Sequence, residues 1–142
     1  MPYRYYLAHP WDSREQIRKL ELDLEEKLAG RVDFFNPFYD VERKEVQLID
    51  TGQADRYHAD PEMVVTRDLK AIGESNGLLG VINGGFSIGT IMEIVYANVY
   101  MKPVILLVTN GHEEHYWLRY HAEQIFITPE SLELWLNAIH TN

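Results

Sequence analysis

The chain contains no cysteine among its 142 residues, so disulfides and thiolate metal centres are excluded. Nor does it hold any apolar run near the roughly 18–20 residues that cross a bilayer, so no membrane partner is expected. The first residues, MPYRYYLAHPW, lack the basic-then-apolar layout of a signal peptide. Together these absences place the expected location in the cytoplasm. Cations are also scarce: 13 Lys and Arg stand against 22 Asp and Glu, a formal net charge of −9. A nucleic-acid backbone is repelled at long range by such a chain, so nucleic acid is not expected as a partner. A small neutral or singly phosphorylated ligand stays compatible, because local donors override the global field. There is no repeat of 20–50 residues and no low-complexity linker, so 1–142 is read as one domain.

What the sequence does have is an alternation of apolar runs and helical patterns. Tyr3 to Ala8 reads as a strand. Ser13 with Gln16 has the form of a capping box, opening a helix through Ile17, Leu20, Leu24 and Leu28. Gly30 suits the left-handed position beyond that helix. Val32 to Phe35 is a second, short strand that stops at Asn36-Pro37. Residues 37–60 read as irregular, a length that is uncommon without a function. Asp60-Pro61-Glu62 starts a helix to about Glu74. Gly77 to Ile82, Val104 to Val108 and Gln124 to Ile127 read as strands; Ser87 caps a helix to about Tyr100, and Thr128-Pro129-Glu130 opens the last one. Continuous apolar strands alternating with helices predict an α/β fold. The expected form is a flavodoxin-like or Rossmann-like three-layer sandwich around a mainly parallel five-stranded sheet. Ligands in such sheets bind beyond the carboxyl ends of the strands. That rule directs attention to residues 9–13, 36–40, 83–90 and 109 onward.

The strongest local feature is the run Asn83-Gly84-Gly85-Phe86-Ser87-Ile88-Gly89-Thr90-Ile91-Met92-Glu93, a glycine-rich turn from a buried strand into a helix. Its amides suit an anion, though G-x-G-x-x-G is absent and no dinucleotide fingerprint is present. Gly89, Thr90, Glu93 and Ala97 share one helix face, so small neighbours leave room beside a carboxylate. The positive helix end is expected to keep Glu93 ionised, as a nucleophile requires. A plain alternative is a solvated glutamate after an ordinary turn. His112, His115 and His121 invite a metal, but nothing completes a zinc pattern such as H-E-x-x-H, and no metal is expected.

Three segments, in order and spacing, make the chain recognisable: Tyr6-Leu7-Ala8-His9-Pro10-Trp11, Arg67-Asp68-Leu69-Lys70-Ala71-Ile72, and Ser87-Ile88-Gly89-Thr90-Ile91-Met92-Glu93 followed by Lys102-Pro103-Val104. In these it resembles the nucleoside 2-deoxyribosyltransferase family, which includes the deoxynucleoside 5′-monophosphate N-hydrolases. The resemblance implies catalytic roles for Glu93 as nucleophile at C1′, Asp68 as a positioning group, and Tyr6 beside the reacting carboxylate. It implies substrate contacts from Trp11, Ser87, Gly89 and Thr90. Gln124 falls where transferases supply an asparagine from a neighbouring subunit. Taken residue by residue, Asp68 reads equally as an exposed carboxylate paired with Arg67 or Lys70, and Tyr6 and Trp11 as core and rim aromatics. Many transferases carry an aspartate six residues before the glutamate; here Ser87 stands there, as in the N-hydrolases, where it contacts phosphate. The expected reaction is transfer of a deoxyribosyl group between bases through a covalent Glu93 intermediate. The alternatives are hydrolysis of nucleoside 5′-monophosphates and a non-catalytic nucleotide-binding domain. The resemblance requires no cofactor and implies a homodimer or higher homo-oligomer.

Overall fold

In a computed structural model of the chain, which describes residues 1–39 and 60–141, the apolar runs form one sheet of five parallel strands. These are β1 (Tyr3–Ala8), β2 (Val32–Phe35), β3 (Gly77–Ile82), β4 (Val104–Val108) and β5 (Gln124–Phe126). Their order is β2-β1-β3-β4-β5. Register places Tyr6 beside both Phe35 and Leu78, and Gly80 beside both Ala8 and Leu106. The helices are α1 (Arg14–Lys27), α2 (Pro61–Glu74), α3 (Ile88–Val99), α4 (Tyr116–His121) and α5 (Pro129–Ile139).

Alternation along each strand sends successive side chains to opposite faces. On one face Tyr5, Leu7, Leu79, Ile105 and Leu107 pack with Ile17 and Leu24 of α1 and Leu132 and Leu136 of α5. On the other, Tyr6, Ala8, Leu78 and Leu106 meet Ala71 and Ile72 of α2, Ile94 and Ala97 of α3, and Leu118 of α4. The result is the expected three-layer sandwich, with the order reversing between β1 and β3.

The helix starts differ in how they are capped. Asp60 accepts from the Glu62 amide at 3.0 Å, and Thr128 Oγ1 accepts from Ser131 N at 3.1 Å. Ser13, by contrast, makes no cap. A 3₁₀ turn over Trp11–Ser13 precedes α1, and Ser13 Oγ donates to Asn83 Oδ1 at 3.0 Å. The capping box read from Ser13 and Gln16 is therefore not formed; the hydroxyl instead joins the loops after β1 and β3. Gly30 takes the left-handed conformation foreseen for it, φ +81°. At the other end of the sheet Tyr5 Oη lies 2.8 Å from His140 Nε2, and Arg31 Nη1 donates to the His140 carbonyl at 2.6 Å. This clasp ties the end of α5 to β1 and to the turn before β2. Most of the long irregular segment, residues 40–59, lies outside the described residues.

One glycine decides how close α3 can come. A Cβ on Gly80 would stand 2.7 Å from Leu106 Cδ2 and 3.2 Å from Ile94 Cδ1. The bare backbone thus lets α3 settle onto β3. Gly80→Ala is expected to destabilise the chain by about 1–3 kcal/mol through overpacking. A urea titration would register it as a lower midpoint at unchanged slope; an unchanged midpoint would show that Leu106 and Ile94 give way freely.

Candidate active site

The strand order reverses between β1 and β3, the place where α/β sheets bind ligands. Three elements place side chains there: β1 contributes Tyr6, α2 contributes Asp68, and α3 contributes Glu93. Tyr6 is fully buried, its ring stacked on Phe35 with centroids 5.5 Å apart. That stacking fixes the ring, and its hydroxyl donates a short hydrogen bond to Glu93 Oε2. Asp68 stands on the adjoining helix with its side chain 16% exposed. Arg67 grips one of its oxygens, donating to Oδ1 from Nε at 3.0 Å and from Nη2 at 2.8 Å.

The electrostatics differ from the sequence expectation. Glu93 is the sixth residue of α3, beyond the first turn over which a helix dipole acts. Burial, reinforced by the negative charge of Asp68, pushes its carboxyl from 4.5 up to about 8, against the opposing pull of Tyr6 and Arg67. Glu93 therefore holds a proton at neutral pH. Asp68 is also raised by burial, held back by the Arg67 cation. Burial, with the carboxylates of Glu93 and Asp68 beside it, lifts the Tyr6 hydroxyl well above its ordinary range. The site is thus an acid pair with one phenol and one guanidinium around it.

The other predicted residues take varied places. Ser87 caps α3, its Oγ accepting from Thr90 N at 3.4 Å, a bond that leaves its own O–H proton unused. Gly89 is exposed with open space where a Cβ would stand. Thr90 is buried, and its hydroxyl has no hydrogen-bond partner among the described residues. An orphaned hydroxyl one helical turn before Glu93 marks a place where a ligand or water would be held. Trp11 meets Phe38 edge-on at 5.2 Å and carries the Arg14 guanidinium 3.7 Å above its ring. Gln124 is exposed on β5, with β3 and β4 between it and Tyr6, so one chain does not bring it to Glu93. His115 caps α4 by accepting from Trp117 N, and His121 Nδ1 lies 2.8 Å from the Trp117 carbonyl, so both rings serve local structure. A cavity of about 190 Å³ between α1 and the ends of β3 and β4, lined by Gln16, Leu20, Val81 and Thr109, lies on the opposite face of the sheet from Glu93. Sequence reasoning missed two participants. Arg67 was visible only as a partner for Asp68, and Phe38 gave no signal beyond being aromatic after a proline.

No model of a known protein family matches the chain, and no curated protein matches it by sequence. Solved structures do resemble it. A 2-deoxyribosyltransferase from Bacillus psychrosaccharolyticus superposes with a TM-score of 0.69 at 19% identity, over 96% of this chain and 94% of that one. A conserved protein from Enterococcus faecalis gives 0.72 at 15% identity, covering 98% and 99%. A CMP N-glycosidase from Clostridium botulinum gives 0.60 at 22% identity, covering 96% and 98%. The chain shares their fold over nearly its whole length.

A carboxyl raised on folding contributes stability that is whole below its unfolded value and is lost as pH rises through the folded one. For Glu93 that window runs from about 4.5 to about 8. Glu93→Gln removes the penalty while keeping an acceptor for Tyr6. Its unfolding free energy, from denaturant titrations at each pH, should match the parent near pH 4.5 and exceed it increasingly towards pH 8, by on the order of a few kcal/mol. A constant difference across that range would mean Glu93 titrates normally.

Proposed function

We propose that this chain cleaves the N-glycosidic bond of 2′-deoxynucleosides and transfers the sugar to another base. The observation that carries the reading is a partly buried carboxyl pair, Glu93 and Asp68, gathered around the Tyr6 hydroxyl. Support comes from the shared fold of a 2-deoxyribosyltransferase and from the motif resemblance described above. As the base leaves C1′, positive charge develops on the sugar, and a carboxylate beneath it stabilises or captures that charge. The leaving base meanwhile needs a proton. The acid pair holds one at neutral pH. Delivery of that proton through Asp68 to the departing base nitrogen leaves Glu93 ionised and able to form the ester bond to C1′. The C1′–N bond breaks as the C1′–O bond forms. A second base then attacks C1′, the ester bond breaks, and the proton given up by the incoming base returns to the pair. Tyr6 steadies Glu93 Oε2 throughout, leaving the other oxygen to attack. No metal or organic cofactor takes part in this scheme.

Hydrolysis of a nucleoside 5′-monophosphate on the same residues is a second reading. It is favoured by the neutral Ser87 hydroxyl at the start of α3, with a proton to donate, and by the fold shared with a CMP N-glycosidase. Water then replaces the second base.

Assembly belongs to the same reading. Along α3 the apolar residues Ile88, Met92, Val95 and Val99 recur at helical spacing and are exposed, Ile88 at 76% and Val99 at 68%. Tyr96 and Tyr100 extend the patch. A second copy seated there would cover the helix that carries Glu93, and the exposed Gln124 of either copy is available to a neighbouring site.

Incubation with deoxynucleosides plus an acceptor base, and separately with nucleoside 5′-monophosphates, tests the reaction by its products. A new nucleoside is the expected result; free base with sugar phosphate would favour the second reading. Glu93→Ala should lower either rate by at least about 1,000-fold. Retention of cleavage in that variant would overturn both. The rate should also fall above about pH 8, where the pair loses its proton. For assembly, sedimentation of Met92→Glu/Val99→Glu should show monomers where the parent sediments as a dimer or larger; identical sedimentation would remove α3 from the interface.

A further inference from the structure

The arginine that braces Asp68 is itself held from outside its helix. Arg67 Nη2 donates to Asp68 Oδ1 at 2.8 Å and to the Pro37 carbonyl at 2.9 Å. Pro37 belongs to the turn after β2, closed by a bond from Tyr39 N to the Asn36 carbonyl. That turn is fixed from below by a buried polar network. Asn36, 1% exposed, accepts from Phe38 N at 3.0 Å and donates from Nδ2 to Glu21 Oε1 at 2.8 Å. Glu21 in turn accepts from Arg18 Nη1 at 2.8 Å. His9 Nε2 lies 3.0 Å from Asn36 Oδ1. The Phe38 amide can only donate, so this Asn36 atom is the oxygen, and His9 must carry its proton on Nε2. Buried groups of this kind are costly unless every one is paired, and when paired they hold a single geometry. The network sits beneath the carbonyl that Arg67 grips.

We propose that Asn36 and Arg67 are positioning residues: Asn36 fixes the turn that presents the Pro37 carbonyl, and Arg67, clamped between that carbonyl and Asp68, sets where the Asp68 carboxylate stands against Glu93 and Tyr6. The clamp depends on a planar fork. A guanidinium reaches a carbonyl and a carboxylate at once along fixed directions, whereas a lysine ammonium is a point charge on a flexible stem. Among the described residues, the charged and titratable groups that act on Glu93 are Tyr6 from β1 and Asp68 and Arg67 from α2. Asp68 and Glu93 share these surroundings and titrate as a coupled pair. Removing the one cation among them makes the pair keep protons to higher pH. The consequence for turnover rests on the glycosidic reading; the consequence for titration does not.

The test follows the Asp68 and Glu93 carboxyl carbons by ¹³C NMR across pH in the full chain and its variants, alongside steady-state kinetics. Arg67→Gln should raise the lower midpoint of the pair by about one unit, and Arg67→Lys, which restores charge without the fork, by less. Asn36→Ala should shift it in the same direction by a smaller amount. If that variant fails to fold because Glu21 Oε1 loses the Asn36 bond, the two Arg67 variants decide alone. In kinetics, Arg67→Gln should lower kcat about tenfold with KM nearly unchanged, and Arg67→Lys should recover part of the loss. A titration of Arg67→Gln that superposes on the parent overturns the proposal. A shifted titration with unaltered kcat overturns its catalytic half. Should the parent cleave no nucleoside, the functional reading fails while the titration still decides the positioning role.

Discussion

Gathering two carboxyl groups and a phenol at one largely desolvated place is the constraint from which the arrangement of this chain follows. Two negative charges there would repel strongly and lose hydration, so both carboxyls are pushed towards their protonated forms, Glu93 the further of the two. Arg67 offsets the charge that remains on Asp68. Tyr6, locked by its stack on Phe35, holds one Glu93 oxygen in a fixed direction. Each group is supplied by a different element, so the cluster exists only when β1, α2 and α3 are assembled. Assembly of the candidate site and native packing are the same event here.

The sheet provides that assembly by simple means. Reversal of strand order between β1 and β3 leaves a gap at the switch, and the side chains of that gap come from the β1 face that carries Tyr6. Gly80 lets α3 lie close to β3, with Ile94 against the sheet and Glu93 beside it in sequence. Such a site is built against stability. A partly desolvated acid pair and an unpaired Thr90 hydroxyl are both features that a chain selected for stability alone would discard.

Much of this was legible in the amino-acid sequence. Strands such as Val104–Val108 are uninterrupted apolar runs, and Asp60-Pro61-Glu62 and Thr128-Pro129-Glu130 are caps that formed where the pattern put them. Periodicity reports burial, and burial is what makes a strand or a helix face. It failed where a polar side chain had a distant choice of partner: Ser13 left its own helix for Asn83, seventy residues away. Helix α4 was missed because six residues, four of them aromatic or histidine, show too little period to register. For the site, spacing put Glu93 and Asp68 on helices but could not give their distance, and the dipole argument gave Glu93 the wrong protonation. Desolvation is a property of the assembled interior and leaves no local trace. The Arg67 link to Pro37 is equally silent, since the two stand thirty residues apart.

The sheet also insulates one half of the protein from the other. Tyr6, Asp68 and Glu93 lie on the face of α2 and α3, while α1 and α5 pack on the far side through Leu24, Leu132 and Leu136, the two sides being joined where Glu21 of α1 holds Asn36. Most of the core packing and the candidate site therefore occupy separate layers of a very small fold. Heat tolerance can be bred into the α5 side of the far layer, by better filling and firmer helix ends away from Arg18 and Glu21, without disturbing the geometry around Asp68 and Glu93.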